Sequence, residues 1–437
     1  SSGDHLSRSF WFSSRLRVSA LLWGFDLSSP IPELTTLDNG VRIVTEPMPG
    51  AQSAVITLRF TFGAKDDPMD RLGIARIAED VSFKGTPSMD AHAIFDAFDS
   101  LGVRRGSSTS VEHTQFQAQI LPRHYEDTVE LYNTIISTAS FPDIEIDVSK
   151  QLTLEELKRL EDSPIQQAMY LTFQAALGDP LGRMPMGKPE TLAVIGASDV
   201  RSFWTNNCYP DRLIVSVAGG LEQGRILSAL QSTFGQWETG PTRKQEEHIV
   251  SVGEKTVHHD KSSEQEHIGM VFGSVPRTHE MYYPAQLAVA ILSGSGSSRL
   301  FTEVREKRGL AYSVSAFYRA RQKGGVIGLY AGTTAERAQE TLDVCREEII
   351  RLAKDVTKEE LARSKTVLKG GLFTSGDLPE GRASSLAEDV FLQDQGRSLD
   401  EITIAIDSVT LAQIPEYLEA YPPSPKTLVT LGPKPLD

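Results

Sequence analysis

Three residues within one short stretch pose the first chemical question. Arg76, Glu79 and Asp80 lie in Gly73-Ile-Ala-Arg-Ile-Ala-Glu-Asp-Val-Ser-Phe-Lys-Gly-Thr86, whose apolar residues recur at helical spacing. On a helix, positions i, i+3 and i+4 share one face. With imidazoles at i and i+4 and a carboxylate at i+3, such a face grips zinc, and the carboxylate works as general base. Here the carboxylate, Glu79, is present, while Arg76 and Asp80 stand in the imidazole positions. A guanidinium stays protonated and has no free lone pair, so Arg76 cannot ligate a metal. It brings a fixed positive charge to the place of a dication, at ion-pair spacing from both acids. Asp80 as an oxygen donor, without imidazole or thiolate beside it, makes a poor zinc site. The pattern therefore supports a charge cluster. For an isolated Arg-x-x-Glu-Asp the competing reading is an ordinary solvated helix face.

A second group offers hydrogen-bond donors. Arg305 and Tyr312 fall in Ser297-Ser-Arg-Leu-Phe-Thr-Glu-Val-Arg-Glu-Lys-Arg-Gly-Leu-Ala-Tyr-Ser313, with Gly309 placed to end a helix between them. A cationic fork and a phenol hydroxyl can both be aimed at developing negative charge. The competing reading pairs Arg305 with Glu303 or Glu306 and leaves Tyr312 to pack. The histidines build no site: His258-His259-Asp260 reads as a surface strand edge, because adjacent side chains point apart. His113, His124, His267 and His279 lack a second His at i+3 or i+4, and His113 and His267 read as strand residues. The glycines of Ser293-Gly-Ser-Gly-Ser-Ser298 are followed by no Lys and no complete phosphate-loop spacing, so nucleotide binding is discarded.

The motifs occur in an order that resembles the insulinase/pitrilysin family, the inverzincins, and in particular its mitochondrial-processing-peptidase-like branch. They are Gly73-x-Ala75, Phe83-Lys-Gly-Thr86 and Leu152-Thr-Leu-Glu-Glu-Leu157 with Glu161-Asp-Ser-Pro164. Further along come Pro180-Leu-Gly-Arg183 with Gly187, then Phe203, the run Tyr209-Pro-Asp-Arg-Leu-Ile-Val-Ser-Val-Ala-Gly219, and the Ser297–Ser313 signature. By this resemblance the family's third zinc ligand falls on Glu156, and its assisting glutamate is replaced by Ser149. Glu79 becomes a vestigial base, and Arg305 and Tyr312 a clamp for substrate backbone and oxyanion. Gly106-Ser107 stand where the family carries Asn-Ala on a substrate-binding strand, so substrate contacts in this half are expected to be weak.

The implied protein is the zinc-less subunit of a heterodimeric metallopeptidase, inactive alone. The resemblance implies a homologous partner with an intact His-x-x-Glu-His, zinc in that partner and no cofactor in this chain, and extended peptides as substrates. The alternative is a purely structural subunit, like the core proteins of the respiratory cytochrome bc1 complex. A self-contained zinc peptidase is the third reading.

Positioning these residues requires two sets of strands and helices. Strands are predicted at Val41–Glu46, after the Asn39-Gly40 turn, at Ala54–Phe62 and around Gln115–Leu121. Helical spacing marks Leu72–Phe83, Ile94–Leu101, Tyr125–Thr138 and Val148–Leu160. The second half repeats the order, with strands at Glu266–Phe272 and Gly325–Tyr330 and helices at Pro284–Leu292, Leu300–Glu306 and Ala335–Ala353. The reading is α+β: two similar domains, each a mainly antiparallel sheet with helices packed on one side. The domains are placed at 35–235 and 249–437, joined by a Gly-, Pro- and charge-rich linker at 236–248, with a leader at 1–34.

Composition fits a large chain with a substantial core: 437 residues, 40% hydrophobic and 23% charged. A net charge of −14 gives nucleic-acid binding little electrostatic support. Cys208 and Cys345 match no metal or redox spacing and read as buried thiols. No apolar run is long enough to cross a bilayer. Between Asp4 and Asp26 there is no acid, while Arg8, Arg15 and Arg17 alternate with Ser and apolar residues. That composition resembles a transit peptide or a basic membrane-surface helix, against an unstructured leader without signal content. The expectation is a soluble protein of the cytoplasm, the basic leader leaving the mitochondrial matrix and the periplasm open.

Overall fold

The computed structural model describes residues 31–241, 247–422 and 427–436. Its first half runs β1 (Glu33–Thr36), β2 (Arg42–Pro47), β3 (Ala54–Phe60), α1 (Ile74–Val81), α2 (Ala91–Ser100), β4 (Arg104–Thr109) and β5 (Thr114–Ile120). Helices α3 (Tyr125–Thr138), α4 (Asp143–Glu161), α5 (Pro164–Leu177), α6 (Pro189–Val194) and α7 (Ala197–Asn207) follow, then β6 (Leu213–Gly219) and α8 (Gln223–Ser232). The second half opens with β7 (Lys255–Asp260), β8 (Gln265–Ser274) and α9 (Tyr282–Ser293). A π-helical segment at Phe301–Lys307 leads into β9 (Ala311–Arg321) and β10 (Gly324–Thr334). Last come α10 (Ala338–Asp355), α11 (Lys358–Gly376), α12 (Pro379–Gln393), α13 (Leu399–Ser408), α14 (Gln413–Ala420) and β11 (Thr427–Gly432).

The strands form two sheets, in the orders β1-β2-β6-β3-β5-β4 and β7-β11-β8-β10-β9. Leaving out β1, the five strands of each half are permuted in the same way. In both, the first and last strands pair in parallel and the other pairs are antiparallel. This shared permutation is the duplication that the weak similarity of the two halves only suggested.

Alternation along β3 shows how each sheet is covered. Ala54, Ile56, Leu58 and Phe60 face the main core of the first half, among Ile77, Val81, Ile135 and Trp204. Val55, on the opposite face, meets Ala218 of β6 and Ala383 of α12, a helix of the second half. Beside them Val44 and Ile214 pack on Leu386, Val390 and Phe391 of the same helix. The second sheet mirrors this: its back face takes α5 of the first half, with Phe173 and Ala176 against Val271 and Val326, and Ala168 against Tyr330 and Leu431. Gly269 on β8 permits that approach, because a Cβ there would fall on the Thr172 hydroxyl. Each sheet thus carries its own helices on one face and one exchanged helix on the other, and this is why β3 and β6 are buried throughout.

Polar pins accompany the exchange. Arg382 of α12 is wholly buried and donates from Nε to Glu46 Oε1 at 2.8 Å. Arg59 pairs with Glu388, and Gln117 Nε2 donates to Ser384 Oγ at 3.1 Å.

Several expectations shift. The leader assigned to 1–34 lies outside the described residues as far as residue 30, and β1 begins inside its last positions. Residues 242–246 of the linker also lie outside them, while Trp237, at its start, packs on the first core and donates from Nε1 to Asn133. His113 sits in the turn before β5, whereas His267 is on β8 as read. His258 and His259 lie on β7, an edge strand. Cys345 is buried but Cys208 only half-buried. The segment read as an α-helix at Leu300–Glu306 is π-helical.

Candidate functional site

Helix α1 carries the altered triplet, and its start is fixed from outside the helix. Asp67 receives Gly73 N–H at 2.7 Å and Ala75 N–H at 3.1 Å, so its carboxylate caps the first turn. Burial pushes the Asp67 carboxyl up to about 7, against the pull of those two donors. Gly73 has φ of 98° and lies against Gly187, itself at φ 69°. Arg183 Nη1 donates to the carbonyls of Ala64, Lys65 and Asp67. The glycines and the Pro180–Arg183 motif are therefore parts of one mount that orients α1.

On the face so presented, Arg76 Nη1 lies 3.3 Å from Glu79 Oε2, and its Nη2 lies 3.8 Å from Glu156 Oε1 on α4. The guanidinium sits between the two carboxylates. Asp80 does not join it: among the described residues no ion pair links Arg76 to Asp80. Arg105 is held in a cage of Phe83, Phe95 and Phe98 rings, 4.6–5.4 Å from its guanidinium carbon. Of the expected cluster of four, Arg76, Glu79 and Glu156 come together and Asp80 stands apart.

Glu79 is the buried member, its side chain 3% exposed against 25% for Arg76. It accepts from the Thr109 hydroxyl at 3.3 Å and from Ser107, both on β4. Burial raises its carboxyl above the ordinary range; Arg76 and the two hydroxyls oppose that rise, and Asp80 adds to it. Ser107, expected at a substrate-contact position, also lies beside Glu79 and donates to it. Thr109 was missed altogether. Gly106 lies on the same edge strand with open space beside it. Ser149 is buried on α4.

The residues present do not fit zinc. Among the described residues no three His, Cys, Asp or Glu side chains are placed to hold a metal ion. A cation already bridges Glu79 and Glu156, and a dication would meet its repulsion.

Arg305 and Tyr312 are brought together. Gly309, at φ 58°, ends the π-helical segment and turns the chain into β9, the edge of the second sheet. The Arg305 guanidinium carbon then lies 4.9 Å from the Tyr312 ring centre and 4.9 Å from that of Phe301. Tyr312 is 84% exposed, so it does not simply pack. Among the described residues no ion pair joins Arg305 to Glu303 or Glu306, and Glu303 is held by Lys307 and Arg308.

The family model "Insulinase (Peptidase family M16)" matches residues 42–185, and "Peptidase M16 inactive domain" matches residues 195–368. A Bacillus subtilis protein named "Uncharacterized zinc protease YmxG" is 31% identical over 386 residues, covering 87% of this chain and 93% of that one. This chain belongs to the insulinase family, peptidase family M16. An M16 relative from Streptomyces coelicolor, named "Uncharacterized zinc protease SCO5738", is 27% identical across 86% of this chain and 84% of its own. Two solved structures share the M16 fold with TM-scores of 0.84 at 19% identity, each covering 93% of this chain and 100% of the other. One is a protease from Helicobacter pylori, the other a peptidase M16 inactive domain from Pseudomonas fluorescens.

Proposed function

We propose that this M16 chain is the zinc-less subunit of a two-chain peptidase, supplying Arg305 and Tyr312 to the zinc site of a homologous partner. The observation that carries the reading is the state of that pair: an exposed phenol held beneath a guanidinium at a sheet edge, with neither group paired to a carboxylate among the described residues. Donors held ready in this way cost little reorganisation when an oxyanion forms. The substitution of Arg76 for a ligand supports the other half of the proposal, that the chain makes no hydrolytic water of its own. Zinc and an intact His-x-x-Glu-His belong to the partner in this scheme. The exposed edge of β4 suits extended peptides, which pair through their main chain with little regard to sequence.

The test is reconstitution with a partner that carries the motif. Tyr312→Phe should lower turnover of the pair by about 10²–10³, the usual loss for one oxyanion donor, and leave assembly intact. Unchanged cleavage with both Tyr312→Phe and Arg305→Ala would transfer the chain to the structural-subunit reading. Peptidase activity in the isolated chain, lost with Glu156→Ala, would instead make it a self-contained enzyme.

A further inference from the structure

An open cavity of about 230 Å³ lies in the second half, where α9, α11 and α13 meet Ser385 of α12. Two arginines line it, Arg277 from the loop after β8 and Arg397 from the loop after α12. Both reach one carboxylate, Asp389, which is wholly buried; each lies 2.8 Å from its Oδ1. The group carries one positive charge more than it can neutralise internally.

The surplus sits on Arg277. Arg397 is well satisfied, since Nε and Nη2 go to Asp389 and Nη1 donates to the Tyr283 hydroxyl at 2.5 Å. Arg277 reaches Asp389 through Nη2 and its Nε is shielded within the protein without a hydrogen-bond partner, so Nη1 is the donor left to face the cavity. A guanidinium donor left in this way is costly unless an acceptor meets it. Because the Tyr283 oxygen accepts from Arg397, its own proton is free to point at a further acceptor. The opposite wall is apolar, built from Leu368, Leu372, Ile402 and Ile406.

The mouth has a signature of its own. Gly370 and Gly371 lie in the interior of α11, where glycine weakens a helix relative to alanine. Packing does not require them, because nothing lies within 4 Å of a Cβ built at either one. Gly371 lines the cavity, so a side chain there would occupy it.

We infer that this cavity binds a small monocarboxylate with an apolar side group, its carboxylate on Arg277 and the Tyr283 hydroxyl and its apolar part against α11 and α13. A single surplus charge matches a monoanion, and Asp389 disfavours a dianion such as phosphate. The volume falls below the roughly 300–1,000 Å³ of sites for drug-sized ligands, so the occupant is a small acid or one terminal residue of a peptide. The site is separate from Arg305 and Tyr312, and it stands whether or not the clamp reading holds.

Calorimetric titration of the full chain with N-acetyl-leucine, and with N-acetyl-leucine amide as the uncharged control, tests it. Binding of the acid but not the amide is expected. Arg277→Met should weaken the acid about tenfold or more, as loss of a charged hydrogen bond does. Gly371→Leu should abolish binding by filling the cavity while raising the thermal midpoint, and it keeps the test open if Arg277→Met fails to fold. A tripeptide ending in leucine separates the sources: binding assigns peptide ends, and exclusion assigns free acids, provided the single-residue acid binds. Equal response to acid and amide, no response to the acid at millimolar concentration, or unchanged affinity in Gly371→Leu overturns the inference.

Discussion

Arg76 and a metal ion bring the same sign of charge to Glu79, but they answer to different variables. A metal can be removed by chelation, whereas the guanidinium can be removed only by substitution. Replacing Arg76 with Leu leaves the buried Glu79 with two hydroxyl donors and no cation. Because Glu79 is buried and Arg76 only partly so, the loss should fall between the exposed and buried limits, about 1–3 kcal/mol. Its pH dependence follows from the sign of the shift. The Glu79 carboxyl already lies above its ordinary value of 4.5 through burial, and removal of Arg76 raises it further. A raised carboxyl contributes stability that is full below the unfolded value and is lost as pH rises through the folded one. Urea midpoints of Arg76→Leu should therefore approach wild type at acid pH and diverge from it toward neutrality. A loss that is constant with pH would show that Glu79 does not sense Arg76.

At the level of elements, α1 depends on a cap that no local spacing announces. Asp67 stands six residues before Gly73, beyond the reach of ordinary N-cap patterns, so the sequence showed the helix and not its mount. Asp67→Asn keeps one acceptor and turns an amide donor toward a backbone N–H, which should cost about 1 kcal/mol. Asp67 also gives stability a slope. With a folded value of about 7 against an ordinary 3.8, its contribution is full below the lower figure and is lost as pH rises through the upper one. The Asn variant should flatten that decline, as midpoints measured across the interval will report. Helices with strong periodicity were legible: Tyr125–Thr138 is α3 to the residue. Other elements were not. The edge strand β4 reads Arg-Arg-Gly-Ser-Ser-Thr and lacks any apolar alternation, because its covered face meets Glu79 through hydroxyls and seats Arg105 among aromatic rings. The largely apolar β3 and β6, interrupted by Thr57, Arg59 and Ser216, suit burial on both faces, but periodicity cannot say what covers them. Glu156 was placed by motif, and Arg76 does reach it; that Asp80 stays outside the cluster had no signal in spacing. Gly269→Ala tests the closest helix–strand approach: a methyl forced onto Thr172 should displace α5 and cost about 1–3 kcal/mol in denaturant unfolding.

For the molecule as a whole, the exchange of α5 and α12 makes the two halves mutually dependent. A polypeptide of residues 31–241 leaves Val44, Val55, Ile214 and Ala218 without their cover, and one of residues 247–437 leaves Val271, Val326 and Leu431 bare. Neither should fold to a monodisperse monomer alone, whereas co-expressed halves should co-purify and show one cooperative melt. A stable monomeric half would mean that the exchanged helices only decorate sheets able to stand by themselves. The exchange also sets a timetable for synthesis. Strand β6 completes the first sheet, but α12 follows roughly 170 residues later, on the order of ten seconds or more at ordinary elongation rates. During that interval a finished sheet waits on the ribosome with one greasy face open, and it must be shielded by whatever binds such faces in the cell. Substitutions that slow translation between β6 and α12 should therefore lower the yield of native protein while leaving the sequence, and the stability of each molecule that does fold, unchanged.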